Sequence, residues 1–200
     1  MMRPARVWTL ALALVTAPIP AQVIEFENNG LKYQTLTKSG VTVMFAPLAP
    51  HVQGYTILQT AVSNGSAGPY VIKPENFVYI RTDGDMIPAA AAQSVISMLI
   101  QKGSRSDVIK LVGTYETAFY GISRMRSTNG YEQRRQAALA ETGTKLKAAA
   151  TASAIALVLT KLAPGESTDG AVFFPTEGKP LGPGHLEVRT NTDVFEFRAE

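Results

Sequence analysis

Side chains that could carry out chemistry are few in this sequence and widely spaced. The 200 residues include no cysteine and two histidines, His51 and His185, each next to a proline or a glycine. A metal site at either histidine would need carboxylates that the fold brings in from elsewhere. Asp83 and Asp85 flank a glycine in a predicted turn, without the regular oxygen spacing of a calcium loop. We therefore expect no metal and no cofactor, and we expect both histidines on the surface.

Sequence motifs of the common hydrolases and nucleotide-binding enzymes are absent as well. The chain has no G-x-S-x-G, S-x-x-K or H-E-x-x-H motif, no Walker A motif and no dinucleotide fingerprint. Glu25 and Glu27, another close carboxylate pair, lie near the start of the expected mature chain, where we expect them to be solvated. These observations predict a non-catalytic protein. An enzyme whose site is defined by geometry alone stays open as an alternative.

Basic residues are concentrated in one part of the chain. Residues 89–162 carry ten basic and four acidic residues, a net charge of +6, whereas the rest of 22–200 carries seven basic and twelve acidic residues, a net charge of −5. In one interpretation, basic helices lie against acidic strands and stabilise the fold. In the other, six basic side chains face outward and contact anionic lipid, lipopolysaccharide or an acidic partner. These six candidate contacts are Arg124, Arg126, Arg134, Arg135, Lys145 and Lys147.

Residues 1–21 have the pattern of a secretory signal peptide. Arg3 and Arg6 precede a short apolar run over 7–17, which is too short to cross a hydrocarbon core of about 30 Å. We expect cleavage after Ala21 and export to the periplasm or the extracellular space, with an uncleaved anchor as the alternative. A mature chain without cysteine would fold without disulfides, which suits a bacterial envelope protein. Its net charge of +1 predicts no nucleic-acid partner.

β-strand patterns occupy both ends of the mature chain. Two β-prone runs within 31–46 flank Lys38-Ser39-Gly40, which predicts a hairpin. Further strands are predicted at 54–63, 70–72, 76–82, 170–175, 184–189 and 193–198. Short strands at this spacing predict a two-sheet sandwich.

Between about 89 and 162 the apolar spacing becomes helical and proline is absent. Three helices are predicted: over 90–102, from an N-cap at Ser106, and over 131–162. The last helix contains the alanine-rich stretch 148–160, which would be about 20 Å long, too short to cross a bilayer. We expect this stretch to be buried against the first two helices, with membrane insertion or an oligomer contact as the alternatives. No transmembrane span is expected after signal cleavage.

Two segments carry a resemblance to a known family. In 62-VSNGSAGPYVIKPENFVYIRTDG-84, a strand ends in an Asn-centred loop, followed by a proline, a strand with an aromatic residue and an acidic-Gly turn. In 162-LAPGESTDGAVFFPTEGKPLGPGHLEVRTNTDVFEF-197, a Pro-Gly-Glu turn leads into a Gly-aromatic strand and a closing β pair. These patterns resemble the telokin-like, immunoglobulin-fold domain of bacterial exported proteins. The resemblance implies an exported binding or scaffold module without a settled activity, and residues 89–162 depart from its compact pattern.

Taken together, these patterns predict a mainly β protein: an immunoglobulin-like β-sandwich over residues 22–200, interrupted by a three-helix insertion at about 89–162. We expect a non-catalytic, exported cell-envelope protein that acts as a binding or scaffold module. Its expected partner is an envelope protein or an anionic surface. The alternative is a structural protein that attaches to the membrane or envelope surface through the basic insertion.

Overall fold

The computed structural model describes residues 22–28, 30–120, 136–138, 140 and 142–198. Within these residues the chain is mainly β, as predicted, and its sheets are antiparallel. In chain order the strands are β1 Ile24–Asn28, β2 Leu31–Lys38, β3 Val41–Val52, β4 Tyr55–Asn64, β5 Tyr70–Ile72, β6 Phe77–Arg81, β7 Met86–Pro88, β8 Thr160–Leu162, β9 Ser167–Pro175, β10 Gly184–Arg189 and β11 Val194–Phe197. The helices among these residues include α1 Ala92–Lys102, α2 Arg105–Tyr120 and α3 Thr144–Ile155, and residues 136–138 and 140 are helical as well.

Strands from the two ends of the chain pair with each other. The largest sheet has the order β1-β2-β3-β4-β9, and a four-stranded sheet has the order β11-β10-β6-β7. β5 pairs with β8. The helices lie between β7 and β8 in the chain, and the strands on either side of them meet: β4 pairs with β9, and β6 with β10.

The predicted hairpin between β2 and β3 is confirmed. Ser39 and Gly40 form its turn and have φ angles of 51° and 79°. Two consecutive left-handed residues are typical of the tight turns that match the twist of paired strands. A Cβ on Gly40 would lie 3.1 Å from the backbone of Ser66, so the turn also packs closely against the loop after β4.

Both faces of the five-stranded sheet are buried at its central strands, each by a different layer, whereas the edge strand β1 is exposed. Leu58 and Val172 belong to a core cluster that includes residues of the four-stranded sheet. Their neighbours Ile57 and Phe173 belong to a second cluster, which includes buried residues of α1, α2 and α3. Since successive strand residues point to opposite faces, two covered faces require nearly continuous apolar runs in the central strands. β4 and β9 are buried along nearly their whole length, but polar residues such as Gln59, Thr60 and Asp169 interrupt their apolar runs.

The alanine-rich helix α3 is packed inside the protein, as predicted. Ala148, Ala149 and Ala152 are buried in the same cluster as Leu99 of α1 and Leu111 of α2. Small side chains let helix backbones approach closely: a Cβ at Gly103, after α1, would lie 2.9 Å from that of Ala148. In the part of the chain that the structure describes, no helix has both the length and the apolar character of a membrane span.

The prediction of a helix that continues to residue 162 is wrong. α3 ends at Ile155, and the backbone N–H of Leu157 then donates to the carbonyl of Ala171, at 2.9 Å. Three residues further on, Thr160–Leu162 pairs with Tyr70–Ile72. The chain leaves the helix because β5 and β9 offer ladder hydrogen bonds here, so tertiary pairing overrides local helix propensity. The sequence patterns also do not predict β1 or β7.

The start of α2 differs from its prediction by two residues. Ser104, not Ser106, caps the helix: its hydroxyl accepts from the N–H of Asp107 at 3.3 Å, and Asp107 Oδ2 accepts from the N–H of Ser104 at 2.8 Å. This reciprocal pair is a capping box. Asp107 Oδ2 also accepts from Gln53 Nε2, at 2.7 Å, so the cap holds α2 to the β3–β4 turn.

Asp107→Asn is expected to lower the free energy of unfolding by about 2 kcal/mol at neutral pH, because the hydrogen bonds donated by Ser104 and Gln53 would end on a neutral oxygen instead of a charged one. Burial alone would raise the pKa of Asp107. The hydrogen bonds from Gln53 and Ser104 and the charge of Lys110 outweigh it and hold the pKa below its usual range. A lowered folded-state pKa stabilises the protein above the unfolded value of about 3.9, and this stabilisation is lost as the pH falls through that value toward the folded one.

Urea unfolding of both proteins at neutral and acidic pH measures this effect. The difference between wild type and Asp107→Asn should shrink as the pH falls below about 4. Glu75→Gln removes an exposed carboxylate and serves as the control, with a change of less than about 0.5 kcal/mol. A difference that is constant from neutral to acidic pH would show that the ionised carboxylate has no such role.

Candidate functional site

A cavity of about 470 Å³ lies between the two larger sheets at one end of the protein. Its lining is mainly apolar and comes from both sheets and from the loop between β9 and β10. The apolar lining includes Phe45, Pro47, Leu58, Leu181, Leu186 and Phe197. Ala49, Lys32 and Gly182 also line the cavity and are exposed, so it reaches the surface. Most small-molecule sites have this kind of volume and apolar lining.

The strand geometry leaves this end of the two sheets open. β2 and β3 pair regularly from Lys38 opposite Val41 to Gln34 opposite Phe45. Beyond Phe45, β3 continues in register with β4 as far as Leu48, and its register then shifts before Val52. An irregularity of this kind bends a strand and ends regular pairing, which is common next to binding sites. β3 therefore contributes cavity-lining residues beyond its last pair with β2.

On the side of the four-stranded sheet, close backbone packing between β6 and β10 forms the wall of the cavity. Gly184, the first residue of β10, has no room for a side chain, since a Cβ there would meet the carbonyl oxygen of Ile80 and would lie 2.9 Å from Tyr79 Cε1. Tyr79 Oη donates to the carbonyl of Gly182, at 2.7 Å. Burial raises the pKa of Tyr79, against a smaller opposing effect of Arg81, so its hydroxyl remains a donor at neutral pH. This hydrogen bond holds the loop before β10 beside the cavity.

A buried hydroxyl network lies next to the turn of the β3–β4 hairpin. Thr56 Oγ1 is 3.0 Å from His51 Nδ1 and 2.9 Å from Thr176 Oγ1. It is also 3.3 Å from the carbonyl oxygen of Lys179, to which it can donate. These contacts join the hairpin to the loop after β9 and place one imidazole at the edge of an apolar cavity. Gln34 Nε2 donates to Glu25 Oε1, at 2.6 Å, on another part of the lining.

The prediction that both histidines are surface residues is wrong. His51 lies in β3 and His185 in β10, each is partly buried, and both line the cavity. The Nε2 atom of His185 is buried and has no hydrogen-bond partner among the described residues. Its imidazole lies near Glu187, where it adds to the larger effect of a hydrogen bond from Arg189 in lowering the pKa of that carboxyl.

The hydroxyl of Thr56 lies next to an imidazole but is held by other polar groups as well. A hydroxyl next to an imidazole could in principle act as a nucleophile–base pair. However, the side chain of Thr56 is 6% exposed, and its hydroxyl already contacts Thr176 and the carbonyl of Lys179 as well as His51. Among the described residues, no group of three or more histidines and carboxylates could hold a metal ion.

The six basic residues predicted to contact an anionic partner do not lie at this cavity where they are described. Lys145 and Lys147 lie in the first turn of α3, with Lys145 exposed and Lys147 partly buried. Arg124, Arg126, Arg134 and Arg135 lie outside the described residues. The proposed role of these six side chains therefore stays a prediction.

No family model matches the chain, and no curated protein or solved structure matches it either. The resemblance to telokin-like domains thus stays a prediction.

Proposed function

We propose that this chain is an exported, non-catalytic binding module of the cell envelope, with an immunoglobulin-like β-sandwich and a helical insertion after β7. The shared core of the two larger sheets supports the sandwich. The position of α1, α2 and α3 between β7 and β8 supports the insertion. The signal-like residues 1–21 support export.

The observation that carries the binding function is the cavity between the sheets. Its apolar walls match a small molecule with an aliphatic or aromatic body, which would bind chiefly by leaving water. His51 and, on another part of the lining, the Gln34–Glu25 pair offer polar contacts to such a molecule. The proposed ligand is therefore an amphipathic small molecule. The proposed partner is an envelope protein or an anionic surface, with no role for nucleic acid.

Ala49→Trp is expected to weaken ligand binding by about tenfold or more, because the added indole would fill the mouth of the cavity. A tenfold loss of affinity corresponds to about 1.4 kcal/mol of binding free energy. Ala49 lines the cavity and is exposed, so the indole can occupy the mouth without displacing the core. Binding is measured by the fluorescence of Nile red and by its displacement with laurate.

Ala163→Trp is the matched control, since it adds the same side chain to an exposed alanine that is not part of the cavity lining. It should leave the affinity for Nile red and laurate unchanged. The proposal fails if wild type binds neither compound saturably, or if the two tryptophan variants lose affinity equally.

A further inference from the structure

The cavity shares its end of the protein with a group of exposed basic side chains. The β3–β4 turn connects the two features. On one side of this turn, Gln53 Nε2 donates to the carbonyl of Lys102, at 3.1 Å, and to Asp107, at 2.7 Å. These contacts place Lys102 and Arg105, which flank the short α1–α2 connection, beside the hairpin whose His51 and Thr56 lie at the cavity.

On the other side of the turn, the loop after β9 brings in a further lysine. The carbonyl of Gly54 accepts from the N–H of Thr176, at 2.9 Å, and from that of Gly178, at 3.2 Å. Lys179 comes next and is exposed. Glu177 is an exposed carboxylate in this loop, while Asp107 is buried and takes part in the helix cap. Glu25 on the cavity lining is exposed too, so the excess of positive charge is confined to the surface next to the β3–β4 turn, where Lys102, Arg105 and Lys179 outnumber Glu177.

Exposed aliphatic side chains accompany these charges. Ile109 is 64% exposed and lies one turn after Arg105, so both side chains occupy the outer face of α2. At the start of α3, Leu146 is exposed next to Lys145. Basic residues combined with outward-facing aliphatic ones are typical of surfaces that bind at a membrane interface. An anionic bilayer offers headgroups to the charges and acyl chains to the aliphatic side chains.

We propose that Lys102, Arg105, Lys179 and Ile109 form a docking surface for a bilayer that contains anionic lipids, so that the mouth of the cavity lies at the membrane. The purpose of this docking rests on the proposed ligand-binding function, because docking brings the cavity to a source of amphipathic molecules. Docking itself depends on charge and on exposed aliphatic groups, and it does not require an occupied cavity.

Co-sedimentation of the full chain with vesicles tests the surface. The chain should sediment with mixed phosphatidylglycerol and phosphatidylcholine vesicles, should not sediment with pure phosphatidylcholine, and should be released by high salt. Each basic residue near an anionic bilayer contributes about 1 kcal/mol, or about fivefold in affinity. The double variant Arg105→Gln/Lys179→Gln should therefore bind anionic vesicles roughly 30-fold more weakly.

The control variant Lys73→Gln/Lys161→Gln makes the same change in net charge near the β5–β8 pair, where neither residue lines the cavity. It should keep the wild-type affinity for vesicles. Equal sedimentation with neutral and anionic vesicles would overturn the docking surface. Equal losses in the two double variants would do the same, and so would binding to soluble polyglutamate as tight as binding to vesicles, which would indicate an acidic protein partner.

Nile red binding of the same variants separates this proposal from the cavity function. Arg105→Gln/Lys179→Gln should keep the affinity for the dye while it loses the affinity for vesicles. Ala49→Trp should lose affinity for the dye while it binds anionic vesicles at least as tightly as the wild type. A wild-type protein that binds the dye but not the vesicles overturns only the docking surface. A wild-type protein that binds the vesicles but not the dye overturns only the cavity function.

Discussion

Asn64→Asp is expected to destabilise the protein by about 3–5 kcal/mol, the range for leaving a buried charge without a partner. Asn64 is fully buried at the end of β4. Its Nδ2 donates to the carbonyls of Gly68 and Leu162, at 2.8 and 3.1 Å. Aspartate has no such donors, so a carboxylate oxygen would face two carbonyl oxygens. Protonation of the aspartate would relieve the charge but could restore only one of the two donors.

The amide oxygen of Asn64 holds the loop after β4 through hydrogen bonds. Its Oδ1 accepts from the N–H of Ser66, at 3.0 Å, and from the hydroxyl of the same residue, at 2.6 Å. One side chain thus connects this loop to β8, which follows the helices in the chain. Urea unfolding measures the change. Asn191→Asp, at an exposed turn position, should change stability by less than about 0.5 kcal/mol. Similar small effects for both substitutions would contradict the role of Asn64.

Gly170→Ala is expected to destabilise the protein by about 3 kcal/mol, at the upper end of the usual range for overpacking. A Cβ at Gly170 would lie 2.5 Å from both the backbone nitrogen and the Cα of Leu157. These are backbone atoms of the segment that leaves α3 and donates to β9, so a change of rotamer cannot relieve the clash. The segment would have to move away from the sheet.

Thermal and urea unfolding of Gly170→Ala should both show this loss, with Gly68→Ala as the control. A Cβ at Gly68 would have no heavy atom of another described residue within 4 Å, so this substitution should be nearly neutral. A Gly170→Ala protein as stable as the wild type would show that the chain after α3 does not pack closely against β9.

The local sequence pattern was enough to predict those helices and hairpins whose stabilising contacts lie close in the chain. The β2–β3 hairpin depends on the short turn Ser39-Gly40, and α1 depends on apolar residues at helical spacing, so both could be predicted. The N-cap of α2 was also within reach, since Ser104 stands three residues before Asp107, the spacing of a capping box. The prediction at Ser106 overlooked that spacing.

Elements that depend on distant partners could not be predicted in this way. β8 follows an alanine-rich helix and becomes a strand because Tyr70–Ile72 offers its backbone for pairing. The cavity is harder still, because its lining joins β2, β3 and β4 to β6, β10 and β11. No local spacing in the sequence marks His51 and Leu186 as neighbours across one cavity.

Methyl-resolved NMR of the protein during a titration with laurate tests ligand binding in the cavity most directly. Leu58, Leu181 and Leu186 line the cavity, whereas Leu99 and Leu111 lie in the helical core on the other face of the five-stranded sheet. Binding between the sheets predicts saturable shifts of the first three methyl pairs and little change in the other two. Shifts confined to Leu99 and Leu111, or no saturable shift at any leucine, would contradict the proposed site.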